Sequence, residues 1–227
     1  MRRSEVLKDL LHLPRDRDLR DDEDEADFYL PLGYTVYRTC YTLGSDEKWQ
    51  RMKQDITKTF RDAITRKDED DESDEYVERL LSLVQLDFRS DPHLLNGLDM
   101  DQVRHIFMNS IGGEPLNKKQ GWRRIFLLAD GEVLTADDGY IKCIQGDFVA
   151  PDPVPPKNSR MPQRYFGWFK MTTRSLSELW ESTSMFELSS IAPQTIGGAH
   201  LVVCKWLDGK GLEMSTDDCL VGDGMRT

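Results

Sequence analysis

The apolar positions along this chain change period several times, and each change marks an element. Gly33-Tyr34-Thr35-Val36-Tyr37-Arg38-Thr39-Cys40-Tyr41 is dominated by β-branched and aromatic residues and reads as a β-strand. Side chains two apart share a face of a strand, so Thr35, Tyr37, Thr39 and Tyr41 form a row in which every member carries a hydroxyl. The opposite row, Tyr34, Val36, Arg38 and Cys40, is an apolar strip interrupted by one guanidinium. Two arrangements account for the hydroxyl row: cross-strand packing that closes a sheet face, or the wall of a polar pocket. The pattern leaves both open.

Helical spacing follows. Gly44 breaks the strand, Ser45 is placed to cap a helix, and Asp46 and Glu47 suit the positive end of its dipole. Trp49, Met52, Ile56, Phe60 and Ala63 recur at intervals of three and four, the stripe of a long helix lying on a sheet. Tyr76, Val77, Leu80, Leu81 and Val84 mark a second helix. Asp99 opens a third, from 100 to about 111 with Met100, Val103 and Phe107 inward, and Gly112-Gly113 ends it. Extended segments are predicted at 86–89, 122–129, 132–135, 139–144, 165–171 and 200–206, with Asp130-Gly131 as a tight turn. Ser175-x-x-Glu178 has the form of a capping box before a short helix. The five prolines of residues 151–162 keep that segment out of any ladder.

This order predicts the α+β class: one domain with a mostly antiparallel sheet, ferredoxin-like or a related sandwich, packed with helices. The chain divides into a flexible acidic segment at 1–27, with a short amphipathic helix at 4–13, a single domain at 28–207, and a polar, Gly-rich tail at 208–227.

Charge narrows the class. The 227 residues carry a formal net charge of −11, with acids concentrated at 21–25 and 68–75. That excess argues against a general nucleic-acid binder, although a local basic groove is compatible with it. No apolar run approaches the roughly 18 residues of a membrane span, and the first residues lack a signal-peptide pattern. A cytoplasmic chain with reduced thiols and no membrane partner is therefore expected.

The common chemical motifs are missing. Cys40, Cys143, Cys204 and Cys219 show no C-x-x-C spacing, and His12, His93, His105 and His200 form no H-E-x-x-H pattern, so no metal is expected. There is no phosphate-cradling or dinucleotide glycine motif and no G-x-S-x-G, so no cofactor is expected either. What remains is a set of polar groups on predicted strands: Thr35, Tyr37, Arg38, Thr39 and Tyr41, then Asp87, then Trp168 and Lys170. A guanidinium inside a sheet needs a carboxylate or a ligand anion, and Asp87 is one structural partner for Arg38.

The strand at 33–41, the acid-rich start of the Trp49 helix, Leu98-Asp99 before Arg104-His105-Ile106-Phe107, and the late Gly167-Trp168-Phe169-Lys170-Met171 with Ser175-Leu176 together resemble a broad family of small fungal cytosolic proteins. The resemblance spans roughly 28–181. One activity described among such proteins is that of the arginine-containing cyclodipeptide synthases, to which this chain is similar as a small, cofactor-free protein. That resemblance implies tRNA-dependent condensation of an arginyl group with a second aminoacyl group, with arginyl-tRNA and another aminoacyl-tRNA as partners. The reaction asks for a carboxylate on the guanidinium, for which Asp87 and Asp130 are candidates. It asks for a hydroxyl assisting aminolysis of the ester, for which Tyr37, Thr39 and Tyr41 are candidates. It also asks for cations on tRNA phosphates, drawn from Arg38, Arg104, Arg123, Arg124 and Lys170, while Trp168 completes the late strand of the substrate site. The alternatives are a non-catalytic small-ligand, peptide-binding or regulatory protein, and a cofactor-free cyclase or isomerase. A pocket walled by Tyr37, Arg38 or Tyr41 favours an enzyme, and a filled core there favours binding alone.

Overall fold

A computed structural model describes residues 31–65, 74–136, 139–149, 165–183, 186–193, 201–207 and 211–214. The expectations for residues 1–27, for the acids at 68–73, for 151–162 and for the tail at 208–210 and 215–227 lie outside the described residues.

Strand β1 (Thr35–Arg38) is buried along its whole length and leads into α1 (Ser45–Thr65). Helix α1 turns Trp49, Met52, Ile56, Phe60 and Ile64 inward, one face at helical spacing. Helix α2 (Asp74–Ser82) returns the chain to β2 (Asp87–Arg89). Next come α3 (Pro92–Leu95) and α4 (Met100–Met108), the latter opened by a complete capping box between Asp99 and Gln102. A 3₁₀ turn (Gly121–Arg123) precedes β3 (Ile125–Ala129), and α5 (Gly131–Thr135) separates β3 from β4 (Tyr140–Gln145). The chain continues through β5 (Trp168–Thr172), α6 (Leu176–Ser182), α7 (Leu188–Ile191), β6 (Val203–Leu207) and β7 (Gly211–Met214).

The seven strands form one sheet in the order β2-β1-β3-β4-β5-β6-β7. The class is α+β, but antiparallel pairing accounts for only half of the six strand pairs. Strand β1 runs parallel to both neighbours, and β5 runs parallel to β6. The helical connections after β1 and β2 are long enough to bring the chain back to the same end, which a hairpin cannot do. Helices also cover both faces, unlike the one-sided sheet of a ferredoxin-like domain. Helices α1, α2, α5, α6 and α7 pack on the face carrying Tyr34, Val36, Leu127, Cys143 and Phe169. Helices α3 and α4 pack on the other, against Tyr37, Phe126, Leu128 and Ile144.

Four local expectations change. The segment expected to be extended over 122–129 is a strand only from Ile125, its start belonging to the 3₁₀ turn Gly121–Arg123. Residues 132–135 are helical, because Asp130 Oδ1 accepts from Val133 N at 3.1 Å and caps α5 instead of closing a tight turn. Ser175 makes no capping bond, since the 3₁₀ turn Thr173–Ser175 already leads into α6 and Glu178 instead accepts from Ser177 Oγ at 2.7 Å. Strand β7 carries the sheet past residue 207, into the stretch assigned to the tail.

Gly33 sits where the chain before β1 lies against the chain before β2, with Leu32 N donating to Leu83 O at 2.8 Å and Gln85 N to Leu32 O at 3.1 Å. A Cβ at Gly33 would lie 1.9 Å from Gln85 O, so any side chain pries the two segments apart. Gly33→Ala is expected to cost about 3 kcal/mol or more in urea unfolding. Gly44→Ala has a positive φ of 81° but open space around it, so it should cost only about 1–2 kcal/mol of backbone strain. Equal costs would contradict the steric account.

Candidate functional site

Strand β1 leaves for β2 through helices on one face, and β2 leaves for β3 through helices on the other. The connections therefore diverge at the carboxyl ends of β1 and β3, a topological switch point. In open sheets of this kind, ligands settle outside the carboxyl ends of the strands at such a point.

Arg38 closes the β1 side of that edge. Its side chain is 4% exposed, and Nε donates to Cys40 O at 2.8 Å while Nη2 donates to Ser45 Oγ at 2.8 Å and pairs with Asp46 Oδ1 at 2.5 Å. The guanidinium carbon also lies 4.5 Å from the centre of the Tyr41 ring, and Tyr41 OH donates to Arg38 O at 3.0 Å. Asp87 is not its partner. Asp87 lies in register with Thr35 on the opposite face, where Oδ2 accepts from Thr35 Oγ1 at 3.1 Å and from Arg89 Nε at 2.7 Å.

The hydroxyl row is packed. Thr35 Oγ1 also accepts from Leu116 N at 2.8 Å, Thr39 is buried, and Tyr37 has no exposure at all. Tyr37 meets the Phe126 ring edge-on at 5.4 Å, and its hydroxyl takes a long 3.4 Å bond from Arg89. Burial pushes the phenol up to about 12, against the smaller opposing pull of Arg89. Tyr41 is half-buried, with its phenol also raised by burial. Arg104 is a staple: it pairs with Asp101 at 2.5 Å and donates to Gln145 O and Gly167 O at 3.1 Å each.

Asp130, Trp168 and Lys170 do come together, around a residue the sequence did not single out. The register of β4 and β5 sets Lys142 directly opposite Lys170, on the sheet face that also carries Ile144 and Trp168. Like charges so placed repel unless an anion lies between them. Lys142 Nζ lies 2.6 Å from both Asp130 Oδ2 and Glu132 Oε2, and Glu132 Oε1 takes Lys170. Lys142 also lies 5.5 Å from the centre of the Trp168 ring, and Lys170 5.4 Å from that of Tyr140. Burial alone would raise the carboxyl of Glu132, but its two lysine hydrogen bonds outweigh that and bring it to about 2. Burial likewise works against a charged Lys142, and the hydrogen bonds it donates to Asp130 and Glu132 reverse this to a net raised pKa.

The signal for Lys142 was a cation within Tyr-Ile-Lys-Cys-Ile, the same signal that marked Arg38. Glu132 was hidden because its segment read as a strand. Among the described residues no three metal-ligating side chains gather, no helix is long and apolar enough to cross a membrane, and Cys40, Cys143 and Cys204 are free thiols.

The fold and its switch point thus define an α+β domain with a cluster of opposite charges at the carboxyl edge of its sheet. Comparison with known proteins finds no matching family model, no similar curated protein and no matching solved structure.

The lysine bridge sets a pH dependence. An unfolded Glu titrates near 4.3, and the folded Glu132 at about 2, so its contribution is complete above the first value and is lost as pH falls towards the second. Glu132→Gln should therefore be less stable than wild type at pH 7, by about 1 kcal/mol for a partly exposed bridge, with the gap closing near pH 2. Urea unfolding across that range checks it, and a gap that stays constant would contradict the assignment.

Proposed function

We propose that this chain binds a small ligand of amino-acid character at the carboxyl ends of β1 and β3. The observation that carries the reading is the pairing of opposite charges at the switch point. Lys142 and Lys170 suit a ligand carboxylate or carbonyl, Glu132 suits its cationic group, and the Trp168 ring suits its stem. A site of this kind is neutral in sum, so it favours a zwitterion over a simple anion or cation. The filled core behind Tyr37 supports binding at this edge rather than at the hydroxyl row.

A second reading is the reaction implied by the resemblance, arginyl transfer from tRNA into a cyclic dipeptide. Glu132 favours it, because a half-exposed carboxylate kept ionised is what a guanidinium takes in bidentate fashion. The lysine ammonium groups would stabilise the oxyanion formed when an amine attacks the aminoacyl ester. Weighing against it, Arg38 and Arg123 are buried and Arg104 is tied down, so most of the cations proposed for tRNA phosphates face inward.

Two measurements separate these readings. Calorimetric titration with L-arginine, then with other amino acids and dipeptides, should give saturable binding that Lys170→Met abolishes. No heat from any of them sinks the binding proposal. Expression in a bacterial host, with mass spectrometry of the culture extract, should show new arginine-containing cyclic dipeptides if the second reading holds, and Glu132→Gln should remove them. Binding without any such product leaves a binding protein.

A further inference from the structure

A second cationic centre lies at the other end of the strands. Arg123 closes the 3₁₀ turn before β3 and is 5% exposed, with its guanidinium carbon 4.1 Å from the centre of the Trp180 ring on α6. Its Nη2 has no hydrogen-bond partner, and neither does the buried hydroxyl of Tyr34 or the buried Nε1 of Trp180. Among the described residues, the other guanidinium groups recorded as buried or half-buried reach an acid: Arg38 reaches Asp46, Arg89 Asp87, Arg104 Asp101 and Arg124 Asp147. Among the described residues no carboxylate pairs with Arg123. After burial, which lowers its pKa to about 10, the phenol of Tyr34 is what acts on it, so Arg123 is still protonated at neutral pH.

A buried charge left unpaired is among the most destabilising features a fold can carry. The neutral oxygens Asn117 Oδ1 and Gln120 Oε1, also without partners on the preceding turn, or a buried water, would answer hydrogen bonds but not the charge. The missing partner is therefore an anion that accepts from several donors. Its size is limited, because the orphaned atoms are closed off from solvent by their own neighbours. The nearby cavity lined by Leu32, Phe60, Ile64, Ser177, Trp180 and Glu181 includes neither Arg123 nor Tyr34 and carries a carboxylate, so it is not the seat.

We propose that Arg123, with Tyr34 and Trp180, holds a buried monatomic anion between the sheet and α6, chloride being the physiological candidate. The site is separate from the lysine cluster and does not depend on the function proposed there.

The test is thermal unfolding of the full chain at constant ionic strength, exchanging sodium gluconate for sodium chloride. Gluconate is too large to enter. The midpoint of the wild type should rise saturably with chloride, by about 5 °C when chloride reaches a hundred times its Kd. Arg123→Met keeps most of the stem and removes the charge. It should lose the chloride dependence and, in gluconate, melt no lower than the wild type. Equal wild-type midpoints in the two salts overturn the proposal, since the donors then hold water or nothing, and so does a chloride dependence that survives in R123M. Should R123M fail to fold, Tyr34→Phe keeps the ring and removes one donor. It should then need about tenfold more chloride for the same shift, and an unchanged chloride requirement overturns the proposal.

Discussion

A guanidinium placed inside an apolar layer has to be neutralised, and Arg38 is neutralised by the turn that follows it. Its bonds to Cys40 O, Ser45 Oγ and Asp46 fold residues 39–44 back over the end of β1 and fix where α1 begins. Ser45 Oγ in turn donates to Thr42 O at 2.6 Å, so the turn is closed from both sides. With its start fixed, α1 lays Trp49, Ile56 and Phe60 along the sheet, and Lys48 reaches Thr135 O at 3.0 Å on α5. One ion pair thus positions the long helix, the short helix and the carboxyl edge of the sheet relative to one another. Arg38 is buried and Asp46 exposed, so removing Asp46 would take the acid away from a buried guanidinium, whereas removing Arg38 would leave only a solvated carboxylate.

The same rule organises the rest of the sheet face. Lys142 and Lys170 are forced together by strand register, and they are tolerable only because Asp130 and Glu132 lie over them. Asp130 is committed on both oxygens, one to the cap of α5 and the other to Lys142. Glu132 is the freer of the two, half-exposed on a helix of five residues. A ligand carrying its own carboxylate can replace Glu132 over the lysines without leaving them unpaired, and that exchange is the physical basis for a binding site at this edge.

Much of the architecture was legible in the sequence, because long periodic segments declare themselves. The stripe from Trp49 to Phe60, the helix start at Asp99 and the apolar run from Ile125 to Ala129 formed as their patterns require. Parallel pairing was not legible: β2 is three residues of Asp-Phe-Arg, and neither its length nor its alternation says which neighbour it joins. Asp130-Gly131 serves equally well as a turn and as a helix cap, and only the bond to Val133 decides. For the candidate site, the sequence found Asp130, Trp168 and Lys170 but not the Lys142 and Glu132 that connect them. Cross-strand register is a tertiary fact, invisible until the strands are aligned. Strand β1 ends at Arg38, so of the hydroxyl row only Thr35 and Tyr37 alternate on it, and whether such a face is a pocket or a packed layer depends on what covers it; here α3 and α4 do.

The account stands on where a ligand meets the sheet. Amide and indole chemical shifts of the isotope-labelled chain, recorded while L-arginine is added, test this most directly. The account predicts that the largest changes fall on Glu132, Lys142, Lys170 and the Trp168 indole, with Tyr37 and Arg89 unmoved. Changes centred on Tyr37, Arg89 and Gly113 would contradict it, placing the ligand under α4 on a face that would then have to open.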